Sequence, residues 1–378
     1  MKADNDSPGL TERQAYIVLN AIPDIGPVVL NRLLAEFGGD PLRVLAADPS
    51  HLRRAPGIRA AACESIRGWR RHFDVVAEEG KLSGIGADFI ALGDSGYPEA
   101  LRQIPDPPLG IYRQGAYAFD RPGIAIVGTR RATLYGRTVA RTLASECARS
   151  GFCVVSGLAL GIDTAAHEGA LAAGGRTVAV LGTGLDVAYP PENRELQRRI
   201  AESGAVLSES PFGRPPTRWS FPLRNRVVSG LSDGVVVVES GFDGGAMITA
   251  RMACEQGRPV FAVPGRIDQP GSTGCHRLIR DGVTLLTGID DILEELSYLG
   301  GRRPPPVAAR PGGSVAERSG LNGDEGSVLG AFRGGEILGT DGIGSLTGLP
   351  VPRVASALVM LELKGLVFRQ LDGRYEAG

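Results

Sequence analysis

The chain of 378 residues is long enough for two or three domains, and its hydrophobic content of 43% supports real cores. Its 41 basic and 42 acidic residues leave a net charge of −1, which excludes a protein-wide positive field, so any nucleic-acid site must be a local patch. The five cysteines form no CxxC pair, which predicts reduced thiols in a cytoplasmic protein. The N-terminus is polar and no apolar run approaches the ~20 residues of a membrane span, so no membrane partner is expected.

Residues 1–82 predict a helical domain. Two short phrases with proline and glycine, Ile22–Pro27 and Ala55–Ile58, each precede a stretch with helical spacing of apolar residues. They suit helix-hairpin-helix elements, which can offer amide groups to a phosphate at a helix N-terminus. They suit a plain small helical bundle equally well, and we favour the bundle because the phrases are short.

Residues 83–299 alternate apolar strands with helical stretches, which predicts an α/β fold with a Rossmann-like, doubly wound parallel sheet. The proline-containing segment 87–115 predicts an extended approach to the first strand. Continuous rather than alternating apolar runs are typical of parallel strands that are covered on both faces. Six such runs are present: Ile124–Val127, Cys153–Val155, Thr177–Leu181, Ala205–Leu207, Val235–Val238 and Val260–Val263.

Residues 300–322 are rich in proline, glycine and arginine without apolar periodicity, which predicts a linker. Residues 323–378 resume a helical pattern and end in a predicted hairpin, which together indicate a winged helix. This segment has five basic and seven acidic side chains. A DNA-reading module normally carries a basic footprint, so we expect the winged helix to contact protein, or DNA only weakly, rather than to act as a transcription factor.

The loops that follow the predicted strands are polar and contain glycine. In an open α/β sheet these carboxyl ends form the ligand crevice, where small residues and helix N-termini favour a phosphate. The first strand is followed by GTRRATLYG rather than GxGxxG, and no GxxxxGK[ST] occurs, so neither a nicotinamide nor an ATP site is predicted. No cofactor and no metal-ligand spacing is expected.

A basic stretch, residues 210–232, contains no acidic residue. Cations that follow a phosphate backbone, with aromatic rings on which bases stack, suit single-stranded nucleic acid. By itself the stretch is equally typical of a basic surface loop. It combines four arginines with three aromatic residues: Arg214, Arg218, Arg224, Arg226, Phe212, Trp219 and Phe221.

A nucleotide phosphoribohydrolase is the enzymatic alternative. Such enzymes place a catalytic glutamate after a glycine-rich phrase, whereas the comparable stretch here, 240–252, has the glycines without a carboxylate after them. Asp163 and His167 stand four residues apart and suit acid–base chemistry. A local hydrogen bond or cap is the more common role of such a pair near a helix start, so we expect no catalytic residue.

Several long phrases in order resemble the DNA-processing protein A family, DprA/Smf, over about residues 90–296. They include VGTRRATLYG (127–136), SGLALGIDTAAHEGAL (156–171) and FPLRNRVVSGLS (221–232). The helical N-terminal zone resembles the SAM-like domain of this family, and the C-terminal module resembles its winged helix. The resemblance implies a non-enzymatic protein that binds single-stranded DNA, loads the RecA recombinase onto it during natural transformation, and works as a homodimer, for which it suggests residues 272–296.

The leading hypothesis is therefore a single-stranded DNA-binding mediator. The family's DNA-contacting arginine falls on Arg130, and its Arg-Asn-Arg phrase falls on residues 224–226. Leu223 departs from the pattern, since some relatives carry a basic residue there. The predicted DNA-binding residues are Gly128, Thr129, Arg130, Arg131, Ser156, Gly157, Arg218, Trp219, Phe221, Arg224, Asn225, Arg226, Gly244 and Gly245.

Overall fold

The computed structural model describes residues 9–23, 25–298, 321–332, 337–369 and 373–377. The chain divides into two compact units, one of Met1–Ala132 with Val139–Val307 and one of Thr133–Thr138 with Ala308–Gly378. Most of the predicted linker, 300–322, lies outside the described residues. The predicted boundary at residue 82 stays a prediction.

Six short α-helices form the N-terminal part of the first unit over the described residues 9–23 and 25–84. Proline at the first position begins three of them, because its fixed φ suits a helix start and its missing N–H is not needed there. Fully buried Ile17, Leu33 and Leu52 belong to an apolar cluster that continues to Tyr112 and Leu181 of the sheet. The helices are α1 (Glu12–Ala21), α2 (Pro27–Glu36), α3 (Pro41–Ala46), α4 (Pro49–Leu52), α5 (Ala60–Arg67) and α6 (Val75–Gly84).

A nine-stranded sheet forms the centre of the first unit, with the strand order β1-β2-β6-β5-β4-β3-β7-β8-β9. All six predicted strands are present, and they pair in parallel. The strands are β1 (Ala87–Ala91), β2 (Gly110–Gln114), β3 (Gly123–Val127), β4 (Cys153–Ser156), β5 (Thr177–Leu181), β6 (Ala205–Ser208), β7 (Gly234–Val237), β8 (Val260–Ala262) and β9 (Thr284–Leu285).

The prediction for residues 87–115 was incomplete. Instead of a simple extended approach, the segment supplies β1 and β2, which extend the sheet with antiparallel pairing. Their apolar runs are only a few residues long and lie between proline- and glycine-rich turns, which hides the strand pattern in the sequence.

Helices cover both faces of the sheet, as a doubly wound fold requires. Successive side chains of β3 point to opposite faces, so that Ile124 and Ile126 join one apolar cluster and Ala125 and Val127 join another. The helices of this region are α7 (Glu99–Arg102), α8 (Leu134–Arg149), α9 (Ile162–Ala172), α10 (Arg194–Ser203), α11 (Ser220–Gly230), α12 (Gly245–Glu255), α13 (Thr273–Arg280) and α14 (Ile289–Tyr298).

The second unit is a winged helix, as predicted. Three helices pack around Val328, Ile343 and Leu358, beside a three-stranded antiparallel sheet with the order β10-β12-β11. Its elements are α15 (Gly323–Ala331), β10 (Ile337–Leu338), α16 (Thr340–Thr347), α17 (Val351–Leu363), β11 (Val367–Arg369) and β12 (Tyr375–Ala377).

The cations of α17 and the residue after it are engaged in ion pairs within the winged helix. Arg353 Nε lies 2.7 Å from Asp324, and Lys364 Nζ lies 2.6 Å from Glu325. No single helix in the described part of the chain is long and apolar enough to cross a membrane; α16 and α17 reach that length only together, and they are bent by 109° where they meet.

Candidate functional site

The order of the parallel strands reverses between β3 and β7, and a cleft of ≈ 500 Å³ lies at the carboxyl ends of the strands there. This is the position at which open α/β sheets bind their ligands. The structure brings together eleven of the fourteen predicted site residues in the lining of this cleft: Gly128, Thr129, Arg130, Arg131, Gly157, Arg218, Phe221, Arg224, Asn225, Gly244 and Gly245.

Close approach to the backbone explains two glycines of the cleft, and a third begins a helix. A Cβ atom on Gly128 would lie 2.5 Å from Ile162, and one on Gly157 would lie 2.5 Å from the guanidinium of Arg224. Gly244 is the N-cap of α12 and makes no side-chain cap, so the first amide groups of this helix lie uncapped at the cleft. Unsatisfied amides and the positive end of the helix dipole favour an anion at this point.

Arg130 and Phe221 form one rim of the cleft. The guanidinium carbon of exposed Arg130 lies 5.0 Å from the centroid of the Phe221 ring, and the Tyr189 ring lies 5.4 Å from the same ring. A cation over an aromatic face is held in place without being neutralised. Sequence reasoning missed Tyr189, although it lies within the region of about residues 90–296 that resembles the family.

Arg224 lines the cleft but is almost fully buried. Its side chain is 8% exposed, and it donates to the carbonyl oxygens of Gly157, at 2.6 Å, and Val180. Burial lowers the pKa of Arg224 to about 10, with a smaller lowering from Arg130 and an opposing effect of Asp163. The guanidinium is therefore still charged at neutral pH and adds positive potential from below while it holds the loop after β4.

Asp163 and His167 do not form an exposed acid–base pair. The Asp163 carboxylate accepts hydrogen bonds from the amides of Gly157, at 3.1 Å, and Ala159, at 3.3 Å, which orders the loop after β4. Asn193 fixes the same loop by donating to the Leu158 carbonyl at 2.9 Å.

His167 is fully buried, with Nδ1 2.7 Å from the Thr177 hydroxyl. That hydroxyl donates to the Val154 carbonyl, so Nδ1 carries the proton and donates to Thr177. Burial, and secondarily Arg224, lowers the pKa of His167 to about 3. The ring is a neutral part of the core.

The three remaining predicted residues, Ser156, Trp219 and Arg226, lie outside the cleft lining. Ser156 is buried in β4, where its hydroxyl donates to the Ile126 carbonyl at 2.7 Å. Trp219 is 70% exposed and faces a neighbouring groove. Ser156, predicted to contact DNA, therefore does not reach the cleft, because it is buried within β4.

Arg226 does not extend the cleft, contrary to the expectation from the sequence. Its side chain is 3% exposed, and Nη2 lies 2.5 and 2.6 Å from the two carboxylate oxygens of Glu209. Asp106 lies on the other side, 3.4 Å from Nε. Of the Arg-Asn-Arg triplet, Arg226 therefore has a structural role, while buried Arg224 and half-buried Asn225 line the cleft.

Both units of the chain match known protein families. The family model described as DNA recombination-mediator protein A matches residues 88–297, and the DprA winged helix domain matches residues 312–373. Protein Smf of Synechocystis is 33% identical over 97% of this chain and 99% of its own length. The DNA processing protein DprA of Bacillus subtilis is 38% identical over 66% of this chain and 87% of its own length.

Two solved structures are similar at the level of both sequence and fold. DNA processing protein A from Streptococcus pneumoniae is 33% identical, covers 76% of this chain and 99% of its own, and superposes with a TM-score of 0.65. DNA processing protein A from Helicobacter pylori, studied for its single-stranded DNA binding mode, is 33% identical, covers 57% of this chain and 98% of its own, and gives a TM-score of 0.52.

Proposed function

Since the chain belongs to the DprA/Smf family of DNA-processing proteins, we propose that it binds single-stranded DNA in the cleft at the carboxyl ends of β3, β4 and β7. One observation carries the proposal. Exposed Arg130 lies over Phe221 at the rim of a cleft that also contains the uncapped N-terminus of α12. Cations, amides and an aromatic face are thus combined in one place.

Each part of the cleft has a distinct task in this proposal. The amides at the start of α12 and at the Gly128 turn donate hydrogen bonds to the oxygens of one phosphate. Arg130 and Arg218 neutralise its neighbours along the strand. Phe221 offers a face on which one base stacks, worth ~1–3 kcal/mol. Because these contacts address the backbone and the π-face of any base, binding is independent of sequence.

Binding of fluorescent oligo-dT to the full chain tests this. Arg130→Glu should weaken binding and reduce the slope of log K against log salt by at least ~0.7, the value for one phosphate contact to a single strand. Arg149→Glu is the matched control, because it makes the same charge change on an exposed residue at the end of α8. Equal affinity of both variants and the unchanged protein would overturn the proposal.

We further propose that the protein passes the bound strand to the RecA recombinase. The support is the family's description as a recombination mediator. RecA ATPase activity on single-stranded DNA should rise when the protein is added, and Arg130→Glu should reduce this stimulation. Stimulation that is absent, or equal in the variant, contradicts this step.

We also propose a homodimer formed through the first unit. Ile267 is 94% exposed and Phe242 54% exposed, and the Phe242 ring contacts Arg277 of α13, within the segment 272–296 suggested by the family resemblance. Ile267→Glu should shift the mass measured by light scattering from dimer to monomer. Val76→Glu, at a 70% exposed position on α6, is the control. A monomeric unchanged protein would refute the dimer.

The protein acts by binding rather than by catalysis in this proposal. The carboxylate of Asp163 is engaged by two amides, and His167 is buried. The five cysteines are unpaired, which supports a cytoplasmic location. Release of base from nucleoside monophosphates, abolished by Asp163→Asn, would instead establish a phosphoribohydrolase.

A further inference from the structure

A second groove lies next to the cleft and separates the basic stretch from the N-terminal helices. Its volume is ≈ 450 Å³. One wall carries Ile22 and Ile25, which lie between α1 and α2, and the other wall carries Arg214, Trp219 and Leu223. We propose that single-stranded DNA continues from the cleft into this groove, so that the N-terminal helices form part of the DNA-binding surface. This inference rests on the proposed function of the cleft.

The first turn of α11 forms a ridge between the cleft and the groove. Phe221 faces the cleft, Leu223 faces the groove, and Arg224 lines both. The two depressions therefore share the positive charge of one buried guanidinium. A strand that crosses the ridge meets Phe221 on one side and Trp219 on the other, so two aromatic faces follow one another along a single path.

Trp219 has the properties of a stacking platform. It is 70% exposed, the largest aromatic side chain among the exposed hydrophobic residues of the described chain, and the Arg218 guanidinium carbon lies 4.8 Å from its ring centroid. Core packing does not explain why the Trp219 indole is exposed to solvent. A nucleobase on its face would remove apolar surface from water, and the adjacent arginine lies where the next phosphate follows.

The wall that carries Arg214 is fixed before any ligand arrives. The Gly213 amide donates to Asp186 at 2.8 Å, the Phe212 amide donates to Glu78 at 2.8 Å, and the Gly184 amide donates to the Arg214 carbonyl at 3.0 Å. The main chain that bears the Arg214 side chain is thus ordered by three hydrogen bonds. A preorganised cationic rim lowers the entropic cost of binding an anionic strand.

Charge and continuity favour a nucleic acid over a protein segment as the occupant. Exposed Arg214 lines the groove and exposed Arg218 lines the neighbouring cleft. Among the described residues of the groove, the acidic side chain is Glu209, which is already paired with Arg226. The apolar walls suit the faces of unstacked bases. An apolar peptide would gain from the same walls, and the experiment below separates the two occupants.

Tryptophan fluorescence tests the inference directly, because the chain has two tryptophans and Trp69 is buried. In the Trp69→Phe variant, emission reports on Trp219 alone. Oligo-dT of increasing length, from about 4 to about 16 nucleotides, spans the usual site sizes of single-strand binders. Short oligonucleotides should bind the cleft with little change in emission, and longer ones should quench Trp219 and bind more tightly.

Substitution at Trp219 completes the test. Trp219→Ala should lose about 5- to 150-fold in affinity for long oligonucleotides, which corresponds to ~1–3 kcal/mol of stacking, and little for short ones. Trp219→Phe, which keeps an aromatic face, should recover much of the loss. Arg214→Glu should lower the affinity for long oligonucleotides more than the affinity for short ones, and Arg149→Glu is again the control.

The outcomes distinguish this inference from the proposed function. Absence of binding at every length refutes the cleft itself. Binding of short oligonucleotides without a gain in affinity on lengthening refutes the groove and leaves the cleft intact. Quenching that is equal at every length places Trp219 on the cleft and refutes a separate groove. Quenching by RecA but not by oligo-dT assigns the groove to a protein and overturns the inference.

Discussion

Arg226→Met separates a structural arginine from a DNA-binding one. Methionine keeps much of the side-chain length but removes the charge, which leaves the half-buried Glu209 carboxylate without its buried partner. Burial already raises the pKa of Glu209, and Arg226 opposes that effect. Breaking a buried ion pair by removing one partner costs ~3–5 kcal/mol, because an uncompensated charge is left behind.

The expected loss of stability is large enough to measure in two ways. Chemical denaturation should show a decrease of ~3–5 kcal/mol in the free energy of unfolding of the first unit. At roughly 2–4 °C per kcal/mol for a unit of this size, Tm should fall by roughly 6–20 °C. The double variant Glu209→Gln with Arg226→Met should recover most of the loss, since no unpaired carboxylate then remains at position 209.

The affinity for DNA should distinguish Arg226 from Arg130. Folded Arg226→Met should bind a short oligo-dT as the unchanged protein does, because the Arg226 guanidinium does not line the cleft. Arg130→Ala should weaken binding of oligo-dT and leave the free energy of unfolding unchanged. The reasoning is refuted if Arg226→Met leaves Tm unchanged and weakens binding of the short oligonucleotide as much as Arg130→Ala.

Three further predictions follow from individual side chains and from the winged helix. Leu223→Lys adds a cation at the groove, so affinity for long oligo-dT should rise and the slope of log K against log salt should steepen by ~0.7. Leu223→Gln should change neither the affinity nor the slope, and equal slopes for the two variants would contradict this prediction. His167 is neutral when folded, with a pKa of about 3 against ~6.5 when unfolded, so its contribution to stability is complete above pH ~6.5 and is lost as the pH falls toward 3. At pH 5 this loss is ~2 kcal/mol relative to pH 7, and denaturation of His167→Gln should show a pH dependence smaller by that amount; identical pH profiles would refute it. Removal of residues 301–378 should leave the affinity for oligo-dT unchanged in an anisotropy titration, because the cations near α17 are already paired. Complete loss of binding would contradict an accessory role of the winged helix.

The central sheet was predictable because its signal is local. A parallel strand that is covered on both faces requires several consecutive apolar residues, and a run such as Thr177–Leu181, in a chain rich in turns, is too short for a buried helix. The glycine-containing loops after these strands then had to meet at one edge of the sheet. For this reason the sequence alone placed Arg130 and Gly244 in the same region.

Features that depend on distant partners were not predictable in this way. Helix α11 begins two residues before Pro222, where proline is tolerated in the first turn, yet the sequence there reads as a basic loop. The sequence places Arg226 beside Arg224 and Asn225, but the partner that determines its role, Glu209, is 17 residues away. Charge counts cannot tell a cation that faces water from one already neutralised inside the fold.

The apolar cluster shared by the N-terminal helices and the sheet has a consequence for how this chain can be divided. Composition changes near residue 82, yet Phe89 and Tyr112 of the sheet are buried in the same cluster as Ile17 and Leu33. Cutting the gene at that point would leave those aromatic rings without cover on one side. Recombination between related genes should therefore exchange residues 9–298 as one inherited block, with viable crossovers concentrated beyond it.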